Sequence, residues 1–172
     1  MSQAIDSEPT TPLSGRWWYY PLALAIAVVA LYGGSLPNDT RSEWFRSLTR
    51  PDILPASLER LIPFIWLGLF LLGGIGLAGI WSAGQSARWK AMMMGLLLVQ
   101  LLLNYGYSYT FTMVRDIASA FWIAVALAGV TACIVGLASL ARVWLTAVCF
   151  LPYLVWVAFA SYVTYRLAQL NG

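Results

Sequence analysis

Five apolar stretches of about 20 residues each, with charge only at their ends, occupy most of this 172-residue chain. At about 1.5 Å per helical residue, that length crosses the roughly 30 Å hydrocarbon core of a bilayer. Backbone amides in hydrocarbon must find partners within their own segment, so the stretches read as helices. The sequence therefore predicts an all-α membrane protein, a bundle of five transmembrane helices with a long first loop. Charged residues make up 10% of the chain and hydrophobic residues 60%, against about 25% charged in an ordinary soluble domain. That balance excludes a disordered chain, and the length leaves no room for a separate soluble domain.

The spans are expected at 17–35, 61–81, 89–109, 117–140 and 143–167. Trp17 to Tyr20, Trp81, Trp89 and Trp144 fall at span ends and read as interfacial anchors. Residues 1–15 are polar, contain Pro9 and Pro12, and carry no base before Arg16. They read as a disordered tail rather than a basic leader, with 16–172 forming the membrane domain.

The links 82–88, 110–116 and 141–142 are short, so successive spans run antiparallel. The first loop, 36–60, holds nearly half of the charged residues, with Pro37, Pro51, Pro55 and an expected short helix over 42–49. A loop this long in so small a bundle reads as a lid or gate. Arg41, Arg46, Arg50, Arg60, Arg115 and Arg166 share its side of the membrane. Arg16, Arg88, Lys90 and Arg142 share the other. The excess favours the loop side as cytoplasmic.

Several functions are disfavoured. The net charge of +3 is scattered singly, which suits lipid headgroups and not nucleic acid. The chain has no histidine, the commonest metal ligand and neutral-pH proton carrier, so no metal site and no cofactor are expected. Cys133 and Cys149 lie in apolar spans and read as small hydrophobes. No acidic residue lies within a span, which counts against a proton-coupled pump. Asp116 sits at a span end beside Arg115, where a loop ion pair is expected. No catalytic constellation is visible, and enzymatic activity is not expected.

The spans do carry uncharged polar and aromatic faces at helical spacing. Gln100, Asn104, Tyr107 and Phe111 share one. Tyr153, Trp156, Ala160 and Thr164 share a second, and Pro63, Trp66, Phe70 and Gly73 a third. Such side chains either fill the bundle core or line an apolar pocket with a few directional donors. Ala124, Ala128, Ala132 and Gly136 recur at four-residue spacing, as packing inside the bundle or as the seam of a homodimer.

Four segments then resemble one family, the TspO/MBR translocator proteins, also called tryptophan-rich sensory proteins or peripheral benzodiazepine receptors. Trp44-Phe45-x-x-Leu48-x-Arg50-Pro51 is similar to the family's W-Y-x-x-L-x-K-P. Pro63-x-x-Trp66-x-x-Leu69-Phe70 resembles P-x-x-W-x-x-L-Y. Gln100-x-x-x-Asn104 matches Q-x-x-x-N, and Pro152-Tyr153-Leu154-Val155-Trp156 is close to P-Y-L-x-W. No single piece is specific; their order along the chain is. The chain departs where Asp52 to Ala56 replaces an aromatic W-x-P-P segment. Tyr107 stands where the family commonly has Trp, and Thr164 and Gln169 replace a usual Asn and Arg.

The resemblance implies a membrane receptor or translocator, often dimeric, for tetrapyrroles such as porphyrins, haem precursors and bilins, and for sterols. Its implied ligand-binding residues are Phe45, Pro63, Trp66, Phe70, Gln100, Asn104, Tyr107, Phe111, Tyr153, Trp156, Ala160 and Thr164. Arg46, Arg50 and Arg60 at the pocket mouth would pair with propionates. Without histidine, the expected ligand is metal-free and held by stacking. Val157, Tyr162 and Arg166 form a loose sterol-type pattern. Two other readings stand beside this one. Some relatives have been proposed to degrade porphyrin in light, with pocket tryptophans as the redox groups. The protein would otherwise be a ligand-modulated interaction or stress-regulatory protein without transport.

Overall fold

A computed structural model describes residues 18–35, 42–53 and 55–171. The expected tail, Trp17, Pro37 and Arg41 lie outside the described residues. The elements are α1 (Tyr19–Ser35), α2 (Glu43–Ser47), α3 (Ala56–Ser82), α4 (Ala87–Tyr109), α5 (Ile117–Leu140) and α6 (Trp144–Asn171). No strand occurs among the described residues. The expected five spans resolve into four helices long and apolar enough to cross a membrane, and a shorter apolar helix over Tyr19–Gly34. The 17 residues of α1 reach about 26 Å, just short of the hydrocarbon core.

The long helices form a ring. In order around it, α1 packs on α3, α3 on α6, α6 on α5 and α5 on α4, while α4 meets α1 only lightly. Lipid offers no hydrophobic drive between helices, so close backbone approach must supply contact. Gly76 and Gly79 provide it between α3 and α6. A Cβ at Gly76 would lie 2.7 Å from Phe150 Cε2, and one at Gly79 2.8 Å from Thr146 Oγ1. Thr146 Oγ1 donates across the same contact to the Gly76 carbonyl at 2.8 Å. On the opposite flank Gly74 faces α1, where a Cβ would meet the Ala23 carbonyl at 3.0 Å.

The ends of the helices correct three expectations. The third link is not a plain loop: Thr110–Val114 continues α4 as a π-helical turn. It stops at Arg115, which takes φ 64° and donates its N–H to the Thr110 carbonyl. Asp116 makes no loop ion pair with Arg115. It caps α5, its Oδ1 accepting the Ser119 N–H at 2.9 Å. The expected span starting at residue 61 begins earlier, at Ala56, because Pro55 is extended and fits the N-cap. Between α5 and α6, Arg142 takes φ 58°, and Val143 N–H reaches back to the Ala138 carbonyl at 2.8 Å. This six-to-one bond closes the helix end as a Schellman turn, with Arg142 in the place usually held by glycine. Cys133 is exposed, Cys149 is buried, and both are free thiols.

Hydrogen bonds from the Ser119 side chain and backbone hold the Asp116 carboxyl below its ordinary value of 3.8. A carboxyl with a depressed native pKa contributes fully above the unfolded value, and that contribution fades as pH falls through the native one. Asp116→Asn keeps an acceptor at the cap. Its thermal midpoint should match wild type at pH 7 and fall less steeply on acidification below 3.8. Parallel curves in detergent would assign the acid sensitivity elsewhere.

The small-residue ridge on α5 divides. Ala124 is buried and Ala128 half-buried, whereas Ala132 and Gly136 are exposed. Steps of four residues drift by about 40° each at 3.6 residues per turn, so three steps carry the ridge off the core face. The sterol-type pattern divides as well. Val157 is 1% exposed inside the bundle while Tyr162 is 51% exposed, and Arg166 is spent on Gln169 Oε1 at 3.2 Å.

Candidate functional site

The aromatic faces of α3, α4 and α6 converge in the half of the ring nearest the first loop. Trp66 of α3 is the hub. Its ring packs edge-on against Tyr153 at 5.9 Å and against Trp156 at 6.4 Å between centroids, and lies 6.0 Å from Phe70. Leu69, Leu127 and Val157 are buried around this group. Perpendicular rings set the positive edge of one against the negative face of the next, which adds to the gain from area alone.

Three polar side chains of α4 in this region are placed by partners on other helices. Asn104 Nδ2 donates to the Tyr153 hydroxyl at 3.0 Å. Gln100 Nε2 donates to Thr131 Oγ1 of α5 at 3.2 Å. Tyr107 and Thr164 share a bond of 2.9 Å. Thr164 Oγ1 already donates to the Ala160 carbonyl at 2.8 Å, so the proton in the shared bond is Tyr107's. These links fix the register of α4 against α5 and α6, because in hydrocarbon the alternative is an orphaned polar group.

One buried donor has no such partner. Trp156 Nε1 is shielded from solvent and bonds to nothing among the described residues. Its ring is held by Trp66 and by Phe159, at 5.7 Å. An unpaired N–H costs about 1–3 kcal/mol, so its retention marks a place where an acceptor is due.

The first loop roofs this end. Ser42 caps α2 by accepting the Phe45 N–H at 3.2 Å, with Glu43 in the first turn and Arg46 in the last, as the helix dipole favours. Phe45 and Leu48 pack on Phe111, Ala120, Val163 and Leu167. Phe111 in turn stacks on Tyr107 with planes 16° apart. Arg115 holds Trp44 from above, its guanidinium carbon 5.8 Å from the ring. Arg50 lies 5.3 Å over the Phe45 ring and bonds Glu59 of α3 at 2.6 Å. Asn171 at the end of α6 clamps the loop backbone both ways. It accepts the Thr49 N–H at 2.8 Å and donates to the Thr49 carbonyl at 3.0 Å.

The expected pocket residues fare unequally. Trp66, Phe70, Asn104, Tyr153 and Trp156 come together, and Phe45, Tyr107, Phe111, Ala160 and Thr164 form the layer beneath the loop. Pro63 is exposed. Gln100 lies deeper, facing a separate void of about 110 Å³ that it shares with Phe70, Gly73, Leu77, Phe150 and Tyr153. Among the expected anion-pairing residues, Arg50 is engaged by Glu59, while Arg46 and Arg60 are exposed at the rim. Asn171, Glu59, Tyr105 and Phe159 escaped the sequence reading. Only Phe159, three residues after Trp156, carried a periodic signal.

A sequence model of the TspO/MBR family matches residues 22–170. The chain belongs to this family. It is a multi-pass integral membrane protein. It is similar to the tryptophan-rich protein TspO of Chlorobaculum tepidum, with 28% identity over 158 residues, covering 87% of this chain and 94% of that protein. It is also similar to the uncharacterized membrane protein YtaB of Bacillus subtilis, with 29% identity over 156 residues, 87% of this chain and 95% of the relative. The family match runs through α3, α4 and α6, the helices that build the aromatic cluster.

Proposed function

We propose that the protein is a five-helix receptor or translocator for a metal-free tetrapyrrole, bound among Trp66, Asn104, Tyr153 and Trp156 beneath the first loop. The observation that carries this reading is the buried, unpartnered Trp156 Nε1 within the aromatic cluster. A flat conjugated ligand with carbonyl or carboxylate oxygens supplies both a stacking face and the missing acceptor. Its propionates would meet Arg46 and Arg60 at the rim. A sterol offers a single hydroxyl and no stacking face, and fits the cluster less well.

Among the described residues, the void next to the cluster measures about 110 Å³, whereas sites for molecules of drug size run to about 300–1,000 Å³. Binding a tetrapyrrole therefore requires the rings to part and the loop to lift. The test is a tryptophan-quenching titration of the protein in nanodiscs with protoporphyrin and biliverdin. Trp156→Phe keeps an aromatic ring and removes the donor. It should weaken binding by about 3- to 10-fold, the worth of one buried hydrogen bond. Unchanged affinity in Trp156→Phe and in Asn104→Ala together would remove the site.

The contact between Trp66 and Trp156 at 6.4 Å favours one second reading, light-driven degradation of bound porphyrin with these rings as redox partners. Illumination of the complex that yields a new product in wild type, and none in Trp156→Phe, would establish it.

A further inference from the structure

We propose that the void between α1, α3, α4 and α6 is a second binding chamber, and that it takes the tail end of a bilayer lipid. Its volume is about 110 Å³. Its wall is aliphatic, glycine and phenyl surface, including Ala27, Gly73, Leu77, Leu97 and Phe150. Gln100 and Tyr153 are the polar exceptions, and their hydrogen bonds already run to Thr131 and Asn104. Water needs two to four polar partners to settle in a cavity, and only Gln100 and Tyr153 offer any here, each with one hydrogen bond already made, so the wall favours hydrocarbon over water. Cavities of about 150 Å³ with such walls accept small hydrocarbons. Left empty, the wall forfeits dispersion contacts that any hydrocarbon would restore.

Position selects the source of that hydrocarbon. Leu97 to Leu101 are the middle of α4, and Leu69 to Leu77 run from the middle of α3 away from the loop. The chamber therefore sits near the bilayer midplane, where acyl chains end. A solute entering under the loop would have to pass the aromatic cluster first. Lipid reaches the chamber sideways. The α1–α4 contact is held towards the loop end by Tyr105, which donates to the Ala30 carbonyl at 2.6 Å. Beyond that contact Ile26, 43% exposed, stands at the chamber's edge.

The test uses the full chain in nanodiscs of a phosphatidylcholine that carries a photoactivatable diazirine at the acyl terminus. After irradiation, peptide mapping should find adducts on the inward residues Ala27 and Leu77, 7% and 8% exposed, as well as on outward Leu98 and Leu102. Gly73→Leu fills the chamber. It should abolish most inward adducts and leave the outward ones. A Cβ at Gly73 meets only Phe150 Cζ, at 3.9 Å, so Gly73→Ala folds normally and should give a partial loss even if the leucine variant does not fold. Adducts confined to outward residues in wild type would overturn the proposal. So would inward adducts that persist unchanged in both variants. No tetrapyrrole enters this readout, so it stands apart from the site under the loop.

Discussion

Gly74→Leu should unseat α1 from the bundle and lower stability by about 3 kcal/mol, the upper end of the cost of overpacking. Leucine is the better helix former by about 0.8 kcal/mol, so propensity alone predicts the opposite sign. Packing wins because the obstacle is backbone. A Cβ at Gly74 lies 3.0 Å from the Ala23 carbonyl oxygen and 3.1 Å from Ala27 Cβ. Neither can swing aside, and leucine adds three more carbons. Gly73→Ala, one residue away and 3.9 Å from its nearest neighbour, should be neutral or slightly stabilising. Thermal unfolding of both variants in the same mild detergent measures the contrast. Equal midpoints would show that α1 is not held by this contact.

Asn171→Ala should speed both entry and release of a bound ligand by about tenfold, the effect of about 1.4 kcal/mol lost from the clamp on Thr49. The two clamp bonds, at 2.8 and 3.0 Å, join loop backbone to the end of α6. They touch no part of the aromatic cluster. Removing them therefore raises the population of the lifted loop without changing the contacts a ligand makes, and the equilibrium affinity should stay nearly constant. Hydrogen exchange at the Thr49 amide should accelerate in parallel. A weaker equilibrium affinity with an unchanged entry rate would instead show that the clamp supports the bound ligand and does not gate its entry. Arg50→Gln tests the second tether. The pair it breaks with Glu59 is partly exposed, so its effect should be smaller.

Much of this architecture is legible in the sequence, and the illegible part has physical reasons. Asn104 and Gln100 announce an inward face because amides in hydrocarbon need partners. Trp66 and Trp156 follow from helical spacing within their motifs. The π-helical turn at Thr110–Val114 is invisible, since its residues suit a span end as well as a loop. The Thr49–Asn171 clamp joins residues 122 apart, both polar and both at helix or loop ends where polar residues need no explanation. Arg50 reads as an anion partner until Glu59, nine residues on, is seen to turn back toward it. The α5 ridge runs from a buried face to an exposed one because repetition every four residues looks like a stripe on paper and is a slow spiral on a helix. Trp156 Nε1 shows the reverse. Its motif flags the residue, but only the geometry shows that this donor is buried without a partner among the described residues.

Tyr153 belongs to two compartments at once. Its ring edge closes on Trp66, and the same side chain walls the midplane void. A guest that swings this ring away from one room pushes it into the other. The two occupancies are therefore expected to compete through a shared partition, and by reciprocity each guest should loosen the other by the same factor. A membrane whose tails press readily into the lower room would then set the threshold at which the upper one fills.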